Sequence, residues 1–274
     1  MNTVPASCGW KWVQTGFALF RKNPSMWALL VFTYIILMQL LGMIPVVGWI
    51  AATVLIPVFS ASFMIVSREL DQGRRPGFPF LFSGFRTNLP ALLRQGGLYL
   101  ASALAILGLS ALADGGALLQ LMVFGERPPA SSFEDGSLVT AAVLAASLYL
   151  PVLASFWFAP ALSAWRGLPA LQALFYSLFA AFRNWRAFLA YGVALLALGL
   201  ACSFALFLLA LLVRGLFGDK SQNALMLVVL PVMLTYVPTL FASFYASFCD
   251  IFPPAEAEPG VQPAAAPAEP GPAN

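Results

Sequence analysis

Between its charged residues the chain holds six apolar segments, at about 25–44, 46–67, 96–113, 138–164, 187–213 and 224–248, none with Asp, Glu, Lys, Arg or His. Each has 18 residues or more. At ~1.5 Å per residue such a helix reaches across most or all of the ~30 Å hydrocarbon layer of a bilayer. Inside that layer no water is available to bond the backbone, so a single segment must satisfy its own amides, and an α-helix does. The expected fold is therefore all-α, a polytopic membrane protein with six transmembrane helices. Only 9% of the residues are charged, against ~25% in soluble domains, which excludes a single soluble domain. Pro45 and Gly48 in "MIPVVGW" predict a tight turn between the first two spans. The end of the third span stays open, because "GALLQLMVF" continues the apolar run past Asp114 to Phe124.

The positions of the basic residues orient these spans. Lys11, Arg21 and Lys22 precede the first; Arg68, Arg74, Arg75, Arg86 and Arg94 follow the second; Arg166, Arg183 and Arg186 follow the fourth. The other connections hold only Arg127, Arg214 and Lys220. Eleven of fourteen basic residues thus lie on one side, which the positive-inside rule assigns to the cytoplasm. Both termini are then expected to be cytoplasmic. The first apolar run begins only after Pro24, with no short signal-peptide core before it, so the first span itself is expected to direct insertion. The tail from 253 to 274, "PPAEAEPGVQPAAAPAEPGPAN", is rich in Pro, Ala and Gly and reads as disordered.

A word recurs three times: "ALFRKNPSMW", "SGFRTNLPAL" and "AAFRNWRAFL". Aligned on Arg21, Arg86 and Arg183, the copies share Phe20, Phe85 and Phe182 one residue earlier, and Phe17, Phe82 and Phe179 four earlier. Spacings of three and four place residues on one helix face. Each word therefore predicts a short interfacial helix that ends at an arginine, whose stem stays apolar while its head reaches the phosphate layer. In the third copy Leu171, Leu174, Phe175, Leu178, Phe179 and Phe182 form a stripe opposite Gln172, Tyr176 and Arg183, expected to pack on the protein or lie among headgroups. Asn23, Asn88 and Asn184 follow as candidate N-caps of the next span, Asn23 with Pro24 at the first helical position. Arg21, Arg86, Arg183 and Arg186, with Trp27 and Trp185, are the candidate membrane-interface anchors.

A second word marks the even spans: "PVFSASF" from Pro57, "PVLASF" from Pro151 and "PTLFASF" from Pro238. The arginine of the next word follows Pro57 by 29 residues and Pro151 by 32. Matching order and spacing predict a membrane domain over 1–252 built as three helical hairpins, about 9–67, 74–164 and 169–248. Small residues in these words permit close helix approach.

Signs of chemistry are sparse. There is no histidine, which removes histidine triads and the commonest metal ligand. Cys8, Cys202 and Cys249 have no paired spacing and read as packing thiols. Tyr34, Tyr149, Tyr191, Tyr236 and Tyr245, with Gln39 and several Ser and Thr, are expected to bond between helices. Asp114 is the candidate pathway group if the third span runs long. Arg68, Arg74 and Arg75 with Glu69 and Asp71 form a mixed charge cluster, read first as a topology determinant and second as a site for anionic headgroups. No catalytic, metal or cofactor motif is present, and the expected cofactor is none.

Residues 158–192, "FAPALSAWRGLPALQALFYSLFAAFRNWRAFLAYG", resemble a group of uncharacterised six-span inner-membrane proteins of proteobacteria. That group is distantly similar to the membrane domain preceding some bacterial glycerophosphodiester phosphodiesterases. The resemblance implies a multi-pass protein of the bacterial inner membrane without a catalytic domain. A mitochondrial-carrier plan is excluded, because the Pro-x-acid-x-x-base signature is missing at Pro57, Pro151 and Pro238. The expected function is thus a non-enzymatic accessory or lipid-environment role, the alternative being a facilitator of a small or lipid-like molecule. Expected partners are membrane lipids, with a membrane protein or a second copy of the chain as further candidates, and no nucleic acid.

Overall fold

The computed structural model describes residues 1–129, 131–217 and 221–253, without the side chains of 213, 216–217 and 221–231. These residues form helices and no strand. In chain order they are α1 (Cys8–Lys22), α2 (Pro24–Gly42), α3 (Val47–Asp71), a 3₁₀ segment (Phe78–Arg86), α4 (Leu89–Asp114), α5 (Ala117–Leu119) running into a π turn (Gln120–Phe124), α6 (Ser131–Glu134), α7 (Ser137–Arg166), α8 (Ala170–Arg183), α9 (Trp185–Phe217) and α10 (Ser221–Ile251). Six of them, α2, α3, α4, α7, α9 and α10, are long and apolar enough to cross a bilayer. The predicted tail lies outside the described residues apart from Pro253.

The turn between α2 and α3 is tight enough to hold Val46 at a φ of 59°, a left-handed conformation unusual for a β-branched residue. The third span ends at Asp114, where Gly115 turns left-handed at φ 65°. The Asp114 carboxylate accepts from the amides of Gly116 (2.9 Å) and Leu118 (2.6 Å). It caps the turn that follows, so it is not the pathway group considered from sequence.

The packing is densest at the arginine-rich end. There α1 lies along α10, the 3₁₀ segment along α3, and α8 along α7. Small residues set these approaches. A Cβ on Gly16 would come within 2.5 Å of the Thr239 carbonyl oxygen, and one on Gly84 within 2.1 Å of the Val58 oxygen. Thr239 and Val58 each directly follow the proline of the even-span word, at Pro238 and Pro57. The third contact uses a hydroxyl. Ser177 of α8 accepts from the Phe158 amide at 2.9 Å and donates to the Ala154 carbonyl at 2.7 Å, entering the α7 backbone ladder between residues four apart.

The two largest of four apolar clusters among the described residues lie here. One gathers Trp12, Phe158, Leu162, Tyr191, Phe248 and Ile251. The other gathers Leu19, Trp27, Leu30, Phe59, Phe63 and Leu70. Toward the opposite end α4, α5 and α7 still meet around Ala117, Leu118, Leu138 and Ala141, but α9 stands apart: from Trp185 to Leu212 its most apolar 18-residue window holds no buried residue.

Candidate functional site

The arginine-rich end is tied by long-range polar contacts. The Asn2 amide donates to the Ile251 carbonyl (2.8 Å), and Trp12 Nε1 donates to Asp250 Oδ2 (2.7 Å). Lys22 Nζ donates to the Leu70 carbonyl (3.0 Å), adding a cationic donor at the negative end of α3 to the Gly73 amide that this oxygen also accepts (3.2 Å). Tyr245 donates to Asp71 Oδ2 (2.9 Å), and Arg166 donates to the Pro253 carbonyl (3.2 Å). The mixed charge cluster is largely engaged internally: Arg74 chelates Glu69, and Arg68 stands 5.6 Å from the Trp165 ring. Glu69 bonding also raises the pKa of Arg74.

The three asparagines play three parts. The Asn23 carboxamide accepts from the Met26 amide at 3.3 Å, a capping geometry. Asn88 precedes α4 but its side chain makes no capping bond. Asn184 is buried and faces away from α9, its Oδ1 accepting from the Val4 amide (2.8 Å) and its Nδ2 donating to the carbonyls of Asn2 (3.1 Å) and Ala180 (3.0 Å). It clamps the N-terminal segment instead of capping a span, because that segment supplies both a donor and an acceptor.

The anchors divide in the same way. Trp27 is fully buried and stacks on Phe63 at 6.1 Å, so it belongs to the core and not to an aromatic belt. Trp185 is exposed, with the Arg186 guanidinium 5.5 Å from its ring. Arg21 and Arg86 are exposed, and Arg183 Nε donates to Thr3 Oγ1 at 2.8 Å. On α8 the small residues Ala170, Ala173, Ser177, Ala180 and Ala181 face the protein. Leu171, Phe175, Phe179 and Phe182 point outward. The aromatic stripe therefore does not pack on the protein, because only the small face allows the approach that Ser177 needs.

Against this frame lies a groove between α1, α9 and α10 of about 520 Å³. Trp10, Val13, Gln14 and Phe17 of α1 form one wall, Leu198 and Cys202 of α9 a second, and Val232, Tyr236 and Thr239 of α10 a third. It exists because α1 meets α10 closely at Gly16 while α9 leans away beyond Tyr191. Arg21 lies one turn past Phe17, with its guanidinium 6.0 Å from that ring. The groove thus joins an apolar trough to a cationic rim. The volume falls within the ~300–1,000 Å³ usual for small-molecule sites. Of its lining residues Phe17 and Thr239 belong to the two sequence words, with Arg21 of the first word at the rim. Trp10 and Gln14 carried a readable signal, lying three and four residues from residues of that face.

Six apolar spans, an apolar groove and a basic end define an integral, multi-pass helical membrane protein. Aligned over 256 residues, the chain is 39% identical to a probable inner membrane protein of Burkholderia thailandensis, covering 91% of this chain and 92% of that protein. The chain belongs to that family of inner-membrane proteins. No family model matches it, and no solved structure does.

Proposed function

We propose that the protein is a non-enzymatic accessory component of the inner membrane that holds a phospholipid in the α1/α9/α10 groove, with both termini in the cytoplasm. One observation carries this reading: a groove of about 520 Å³ with almost wholly apolar walls and Arg21 beside its rim. Acyl carbons occupy such a trough at no desolvation cost, and a guanidinium pairs with lipid phosphate as a planar fork. The packing of α1 on α10, of the 3₁₀ segment on α3 and of α8 on α7 fits a three-hairpin plan, which is part of this proposal. In this plan the exposed aromatic face of α8 lies in the inner-leaflet headgroup layer.

Native mass spectrometry tests the reading. Protein released from nanodiscs of mixed anionic and zwitterionic lipid should retain phospholipid. Cys202→Trp, which fills the groove, should reduce retention at least several-fold, while Leu212→Trp on the open face of α9 should not. Equal retention by both variants would remove the groove from consideration. The facilitator alternative predicts protein-dependent uptake into proteoliposomes.

A further inference from the structure

A second cavity, of about 170 Å³, lies away from the groove, where α3, α7 and α10 converge with α2 and α4. Tyr34, Ser60, Tyr99, Tyr149, Phe156 and Trp157 are among its walls. Tyr34 and Tyr99 each stand ten residues into their helices, ~15 Å from the arginine-rich end at 1.5 Å per residue. That is the middle of a ~30 Å hydrocarbon layer.

Its polar groups are neutral and under-used. Tyr99 and Tyr149 bond each other through their hydroxyls. Among the described residues Trp157 Nε1 is buried without an acceptor, and no hydrogen bond of the Tyr34 or Ser60 hydroxyl is found. Pro160, also in the wall, removes the amide that would bond the Phe156 carbonyl. A hydroxyl left without a partner in an apolar wall costs ~1–3 kcal/mol, so a cavity edged by the Tyr34 and Ser60 hydroxyls favours an acceptor from outside. No charged side chain lines the space, so an ion would be desolvated there without compensation. The remaining wall is aromatic, with Tyr99 5.2 Å from Phe156 and Trp157 4.3 Å from Phe244. Ile56 and Leu153, which also line it, are exposed at mid-depth on α3 and α7, so the cavity adjoins the lipid side of the helices.

We infer that this cavity binds the head ring of a neutral, lipid-soluble carbonyl compound of the isoprenoid-quinone class. The ring lies against the aromatic walls, its carbonyls accept from the Tyr34 and Ser60 hydroxyls, and its apolar tail leaves past Ile56 and Leu153. A phospholipid headgroup is excluded by its charge. Waters would fill the same volume (about five at ~30 Å³ each) but would leave the apolar part of the wall without a partner.

The test uses full-length protein in quinone-free nanodiscs and decylubiquinone as probe, with binding measured by calorimetry against empty nanodiscs. Saturable binding at one site per chain is expected. Tyr34→Phe and Ser60→Ala each delete one hydroxyl donor, and each should weaken binding about tenfold while the melting temperature stays close to the parent's. An alkylbenzene of equal tail length, lacking carbonyls, should bind parent and variants alike and weakly. Binding no greater than partition into empty nanodiscs, or equal affinity in the parent and the double variant, would overturn the inference. Phospholipid retention in the groove is read separately, so either site can fail without the other.

Discussion

Leu and Phe side chains are treated oppositely at the two ends of this molecule. Near the arginines, Phe63, Phe158 and Leu30 are completely buried; along α9, Leu196, Leu200 and Phe204 each expose more than 60% of their surface. Residue type does not separate these regions. In lipid an apolar side chain gains little by leaving a neighbouring tail for a neighbouring helix, so helices associate where backbones can approach and where polar groups find partners. The arginine-rich end has both, in Gly16, Gly84, Ser177 and the ties from Lys22, Trp12 and Asn184. Along α9 runs of large apolar residues face outward and Gly199 meets open space, whereas α4, α5 and α7 keep a small cluster at the far end around Ala117 and Ala141.

The strongest way to break this comparison is a pair of glycine substitutions. Gly16→Leu would drive a side chain into the Thr239 and Ser243 backbone and should cost ~3 kcal/mol or more. Gly199→Leu meets nothing within 4 Å and should leave thermal unfolding in detergent unchanged or slightly raised. Equal losses would show that both ends pack alike. Next, Asn184→Ala removes the clamp on Asn2 and Val4 and should cost about 1–3 kcal/mol, with faster hydrogen exchange confined to residues 1–7 and the start of α9. Slow exchange there would deny the clamp.

A finer contrast lies between two residues that look alike in sequence. Asn23→Ala should cost ~1 kcal/mol, since its carboxamide bonds the Met26 amide, whereas Asn88→Ala should cost nothing measurable. The smallest effect concerns Asp135, before α7, whose carboxyl is held below the usual carboxylate range by the Ser137 amide at 2.8 Å. A folded-state pKa below the unfolded value gives stability that is complete above the unfolded pKa and lost as pH falls through the folded one. Protection of the Ser137 and Leu138 amides, taken as exchange relative to the intrinsic rate at each pH, should therefore fall below the ordinary carboxylate range, and in Asp135→Asn that protection should no longer vary with pH there.

Much of this could be read from sequence, for a definite reason. Span number follows from charge-free length, which depends on no neighbour, and so does the proline-marked word on the even spans. What could not be read depends on which face of a helix meets which partner. Trp27 has the position of an interface anchor, yet Phe63 from another span covers it. The α8 phenylalanines have the spacing of a buried stripe, yet the alanine face on the opposite side of the helix wins because only it admits α7. Asn184 could not be foreseen as a clamp, since Asn2 and Val4 lie some 180 residues away. Tyr99 was passed over entirely, though it follows Arg86 by 13 residues as Tyr34 follows Arg21. The third copy has Leu196 in that place, on the exposed helix.

The contrast between a locked end and a lipid-exposed end is tested most directly by photo-crosslinking in nanodiscs with phospholipids carrying a diazirine along the acyl chain, mapped by peptide mass spectrometry. The account predicts adducts along α9 from Val193 to Leu212 and in the α1/α9/α10 groove, with none on Phe63, Phe158 or Leu30. Labelling of those three residues, or an α9 as protected as they are, would contradict it.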